Sequence, residues 1–136
     1  MRILWIPLVT AQFARPVSDS STGGWVASGG GSLYAAIDET PASDADYIST
    51  TNASVCEVAL STLTDPVSST GHVVRYRIAA DSGGITVRLR QGTTTIATWT
   101  HAAAPASLTT YEQTLSSGEA DAITNYAALK LQFEAT

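Results

Sequence analysis

Apolar and polar residues alternate strictly in two segments at the middle of the chain. In residues 72–80, Val74, Tyr76 and Ile78 alternate with Arg75 and Arg77; in residues 85–90, Ile85, Val87 and Leu89 alternate with Thr86, Arg88 and Arg90. Successive side chains of a strand point to opposite faces, so a period of two marks a strand with one buried face. Asp81-Ser82-Gly83-Gly84 between the segments is turn chemistry, and the pattern predicts a hairpin. Gln91-Gly92-Thr93-Thr94 then turns the chain into a third strand over residues 95–100, completing a meander.

The same reading extends outward in both directions. Residues 54–63 alternate so that Cys56, Val58 and Leu60 share a face, and residues 107–115 read as another strand. At the end, Leu129, Leu131 and Phe133 point inward while Lys130 and Gln132 point outward. Gly29-Gly30-Gly31 interrupts an apolar stretch from Trp25 to Ile37, which predicts a turn or bulge flanked by strands. Residues 38–46 form an acidic loop, after which Tyr47-Ile48 resume extended structure. A Ser cap with acids in the following turn predicts one short helix near 117–124.

Seven to nine short strands with at most one short helix point to an all-β fold, an antiparallel β-sandwich of jelly-roll-like type. A length of 136 residues fits one domain without internal staples. We assign residues 15–136 to the sandwich and residues 1–14 to an N-terminal strand or assembly arm. The opening MRILWIPLVT imitates a secretory signal, with one basic residue before an apolar run, but it is short and lacks a small-x-small cleavage site. We expect it in the mature protein, with Pro7 restricting it to an edge strand or a position outside the sheet.

Composition changes the picture in one respect. Charged residues are 14% of the chain, against roughly 25% in soluble domains, and 34 Ser and Thr residues fill the gap. A hydroxyl-covered β-rich surface leans toward a particle component or an extracellular protein. A net charge of −5 with seven basic residues argues against nucleic acid as a partner, because phosphate binding needs clustered Lys and Arg. Arg75, Arg77, Arg88 and Arg90 are the exception: on paired strands they would share a face as a small basic ladder, solvated and balanced by acids, or else facing an acidic partner. No stretch approaches the roughly 20 apolar residues of a membrane span.

Candidate chemistry is sparse. Cys56 stands alone, which excludes an intrachain disulfide and suggests a buried inert thiol. His72 and His101 have no nucleophile in a recognisable elbow and read as surface or rim residues. The glycine pairs match neither a phosphate loop nor a dinucleotide fingerprint. Asp38, Glu39, Asp44 and Asp46 could offer oxygens to Ca²⁺, yet their spacing fits no EF-hand, and turn capping or solvation is the plainer role. Trp5, Trp25 and Trp99, with Tyr34, Tyr47 and Tyr111, could form a sugar-stacking platform, although aromatics at strand positions are more often core, and we place Trp25 and Trp99 there. Asn52-Ala53-Ser54 fits the glycosylation triplet by chance. We therefore assign no catalytic, cofactor-binding or metal residues.

Gly24-Trp25, Ile37-Asp38-Glu39, residues 43–48 (SDADYI) and the terminal pattern Tyr111, Thr114-Leu115, Ile123-Thr124-Asn125-Tyr126 and residues 129–133 (LKLQF) together carry a resemblance. Over residues 15–136 the chain resembles small β-sandwich virion proteins of tailed bacteriophages. The resemblance implies a non-enzymatic head-decoration or tail component, located in the virion, with other virion proteins and copies of itself as partners. It brings no catalytic residues. The rival expectation is a carbohydrate-binding module that attaches a particle to surface polysaccharide. On the virion reading residues 1–14 are expected to contribute to assembly, by strand addition or as a hydrophobic anchor.

Overall fold

The computed structural model describes residues 10–136, so the expectations placed on residues 1–9, including Trp5 and Pro7, lie outside the described residues. The fold is all-β and sandwich-like. Its strands are β1 (Pro16–Ser21), β2 (Val26–Ala27), β3 (Ile48–Ser49), β4 (Ser54–Leu60), β5 (Val73–Ile78), β6 (Ile85–Gln91), β7 (Thr94–His101), β8 (Thr109–Thr114) and β9 (Leu129–Ala135). A 3-10 turn, Tyr34–Ala36, and the short helix α1, Ser117–Asp121, are the helical pieces among the described residues. One antiparallel sheet has the order β1-β4-β9-β6-β7; β2 pairs with β3, and β5 with β8, in two smaller sheets.

The period-two pattern decides which side chains meet. Cys56 and Val58 of β4, Ile85, Val87 and Leu89 of β6, and Leu129, Leu131 and Phe133 of β9 form one apolar face of the large sheet. Tyr76 and Ile78 from β5, Leu115, and Ala120 and Ile123 from the α1 region close over it. Burying a large apolar side chain in such a core contributes about 1.5–3 kcal/mol, which is how a chain without staples holds two layers together. Trp25 belongs to this core, with its indole N–H donating to the Ser54 carbonyl at 3.3 Å, whereas Trp99 is only half-buried and packs against it.

The expected hairpin between residues 72–80 and 85–90 does not form. β6 does make a hairpin with β7, but its other edge is taken by β9, while β5 crosses to the opposite layer and pairs with β8. The turn itself is occupied: Gly84 exchanges two backbone hydrogen bonds with Thr136, at 3.1 and 3.0 Å. Gly83 lies at φ +84°, where a Cβ would stand 2.3 Å from the Thr136 carbonyl oxygen. Alternation fixes the face a residue points to and leaves the neighbouring strand open.

With that hairpin goes the basic ladder. Arg75 and Arg77 lie on the small sheet and Arg88 and Arg90 on the large one, each with its own acid: Glu112, Asp44, Glu134 and Glu57 respectively. The apolar stretch before residue 37 also differs from expectation. It yields the two-residue β2 and then a 3-10 turn held by Asp19, whose carboxylate accepts from the Leu33 and Tyr34 N–H groups at 2.8 and 2.7 Å. The helix forms where expected, capped by Ser116, and Glu119 returns the bond to the Ser116 N–H, a full capping box.

Candidate docking cleft and sheet edge

Two features of the fold could receive another polypeptide. The first is a cleft of about 1930 Å³ between the layers. Leu89, Leu131 and Phe133 of the large sheet form one side, Tyr76 and Ile78 the other, and residues 10–16 line its mouth.

The cleft runs along the β5 side of the two-stranded β5-β8 sheet. The Leu115 N–H donates to the His72 carbonyl at 3.0 Å, and Val73 lies opposite Thr114. In an antiparallel pair the bonded residues alternate, so Val74, Tyr76 and Ile78 face β8, and Val73, Arg75 and Arg77 turn their N–H and C=O groups the other way. No backbone partner meets them among the described residues. The chain enters beside this edge: Arg15 bonds Ser61 through backbone and side chain, and the Gln12 amide bonds both backbone groups of Thr64.

The second feature is β7, the edge of the large sheet. It spans eight residues, Thr94–His101, with no charged residue and no proline, and its register shifts once, at Ile96. At the opposite edge β1 starts at Pro16 and carries two register shifts, the kind of irregularity that discourages strand pairing.

The residues singled out for chemistry are dispersed. Asp44 clamps Arg77 at 2.6 and 2.8 Å, Glu39 and Asp46 lie along the cleft, and Asp38 stands apart from it. No three His, Cys, Asp or Glu side chains converge to hold a metal ion among the described residues. Cys56 is fully buried, and burial pushes its thiol up to about 12. Each histidine meets a tyrosine: His72 Nε2 lies 2.7 Å from the Tyr126 hydroxyl, and His101 Nε2 lies 2.9 Å from that of Tyr76.

Tyr76 also stacks on Tyr111 with ring centres 5.8 Å apart, and His101 packs against Tyr111 at 4.3 Å. Trp99 leans on Tyr76 from 6.0 Å at a 40° tilt. The rings thus cover one another instead of presenting a flat platform. Tyr47 is the exception, 45% exposed on the cleft wall. Sequence reasoning missed this cluster, although Tyr76, Trp99 and Tyr111 all sit at inward strand positions that could have pointed to it.

The outer face of the large sheet carries a network instead of a site. Glu57, 7% exposed, receives Arg90 at 2.5 Å, Lys130 at 2.9 Å and Gln132 at 3.4 Å, while Arg88 bonds Glu134 at 2.6 Å. Burial alone would raise the Glu57 carboxyl, but the hydrogen bonds and charges of Lys130 and Arg90 outweigh it and hold the group below its ordinary value. These cations are therefore engaged within the protein. Comparison with known proteins finds no family model that matches the chain, and no curated protein or solved structure that matches it either.

Proposed function

We propose that the protein is a non-enzymatic structural component of a tailed-bacteriophage virion, decorating the capsid or forming part of the head or tail surface. The observation that carries the assembly role is β7, an edge strand of eight residues without charge or proline to discourage another chain from adding to it. Main-chain bonding along such an edge supplies affinity, and pockets for alternate side chains supply specificity. The virion setting comes from the resemblance of residues 15–136. Cryo-electron microscopy of purified virions tests both: the chain should occupy repeated surface positions with β7 against a neighbour. Its absence from the particles would refute the virion role, and its presence with β7 facing solvent would refute the edge.

A second reading, a carbohydrate-binding module, draws on the exposed Tyr47, which shares the cleft wall with Thr50, Thr51 and Asn52. An aromatic ring beside hydroxyl and amide groups is suited to stacking on a sugar. Glycan-array binding that is lost in Tyr47→Ala would favour it over the assembly role.

A further inference from the structure

We propose that His101, the last residue of β7, is an acid-sensitive switch on that edge: its protonation reverses a hydrogen-bond relay through Tyr76 to Gln113 and places a positive charge on a strand that otherwise carries none. The regulation rests on the pairing proposed through β7, whereas the relay is a property of the isolated protein.

Three strands build the relay. His101 ends β7, Tyr76 lies within β5, and Gln113 stands on β8 two residues beyond Tyr111, the cross-strand partner of Tyr76. The Tyr76 hydroxyl has His101 Nε2 at 2.9 Å on one side and Gln113 Nε2 at 3.1 Å on the other. An amide nitrogen only donates, and a phenol has one hydrogen. Gln113 therefore donates to the Tyr76 oxygen, and the Tyr76 hydrogen goes to His101 Nε2. That arrangement requires a neutral imidazole whose own hydrogen sits on Nδ1. Burial, opposed by the Gln113 bond, pushes the Tyr76 hydroxyl above its ordinary value and keeps the hydrogen on it.

Acid puts a hydrogen on His101 Nε2, and Tyr76 then faces two donors with its own hydrogen left over. Its second partner, Gln113, resolves the conflict by turning its amide to offer Oε1. The relay now runs from His101 through Tyr76 to Gln113, and the two layers stay joined. The new charge is tolerated because the half-buried His101 ring packs on Tyr111 at 4.3 Å, inside the range of about 6 Å for a cation over an aromatic face.

The groups that face the imidazole are Tyr76 from β5 and Tyr111 and Gln113 from β8, with Ile85 opposite it on β6. None of them carries a charge. Glu112 is engaged with Arg75 and Glu134 with Arg88, and no acid among the described residues forms an ion pair with His101. An inward-pointing charge is one of the devices that keep an edge strand from pairing, because an added chain would strip the charge of water. The β7 edge is thus open when His101 is neutral and guarded when it is protonated.

Nuclear magnetic resonance of the dilute protein from pH 8 to pH 5 tests the relay. At pH 8 the His101 ring should carry its hydrogen on Nδ1, and the Gln113 side-chain amide should shift with the same midpoint as the ring. In Tyr76→Phe that coupling should vanish. A hydrogen on Nε2 at pH 8, a Gln113 amide indifferent to the ring, or coupling that survives in Tyr76→Phe would each overturn the relay; should that variant fail to fold, the wild-type tautomer and midpoints decide. Sedimentation at the two pH values tests the switch. Pairing of two copies should weaken on the order of 10-fold at pH 5, and His101→Gln, which retains His72, should pair equally at both. Wild-type pairing that ignores pH would refute the switch and leave the β7 reading standing. No pairing at either pH would refute the β7 reading and its regulation together.

Discussion

Arg90 Nη1 lies 2.5 Å from Glu57 Oε2 although the two residues occupy strands that are not neighbours, with β9 running between β6 and β4. Lys130 projects from that middle strand to the second carboxylate oxygen at 2.9 Å. One acid thus spans three strands on the outer face, where cross-strand pairs contribute most when they are shielded from water.

Replacing Glu57 with Ala leaves two cations on a largely covered surface and is expected to destabilise the fold by about 3 kcal/mol, the lower end for a broken buried pair, since both cations keep some contact with water. Urea unfolding at neutral pH checks the value.

Because the Glu57 carboxyl is held below its ordinary value of 4.5, the stability it contributes is fully present above that pH and disappears as pH falls through the lower folded value. Wild type should therefore lose this contribution in acid, and Glu57→Gln should lack that part of the pH slope. Denaturation midpoints from pH 6 downward compare the two; parallel profiles would contradict the assignment.

Asp19 acts as a cap for a turn 14 residues away, accepting from the Leu33 and Tyr34 N–H groups. Asp19→Ala should cost about 0.5–2 kcal/mol, the range for a lost cap. Amide exchange over residues 33–37 should quicken before that of β6 and β9.

Gly23 sits at φ +54°, and a Cβ there would stand 1.8 Å from the Val55 carbonyl oxygen. Gly23→Ala is expected to lose about 1–2 kcal/mol from left-handed strain, with the backbone clash in addition. Thermal unfolding measures it, and a loss below 1 kcal/mol would show that β4 can retreat.

The β7 edge gives the fifth expectation. Thr98 is exposed on the edge strand, so Thr98→Glu places a charge at the edge. The variant should stay folded by circular dichroism yet pair less with other chains in sedimentation experiments. Equal association by both forms would move the contact elsewhere.

Much of this architecture was legible in the chain. The alternation at Val74, Tyr76 and Ile78, at Ile85, Val87 and Leu89, and at Leu129, Leu131 and Phe133 located three strands and their buried faces. Partners were not legible, because a face is a local property and a neighbour is set by the whole topology. Gly83-Gly84 reads as a hairpin turn until Thr136, over 50 residues later, is seen bonded to it. The same limit hid the Glu57 network: its members come from β4, β6 and β9, and no spacing along the sequence connects them. The 3-10 turn after Gly31 depends on Asp19 from another strand, so its local residues gave little sign of it.

The two edges of the large sheet differ, and for the pairing proposed through β7 the difference would set the stoichiometry. A ribbon that can be lengthened from one side only has room for a single addition. Two molecules meeting through β7 would close on a two-fold axis with both edges consumed, whereas the interrupted β1 gives a third molecule no regular place to join. Association through this sheet should end at a pair and should not continue into a fibre.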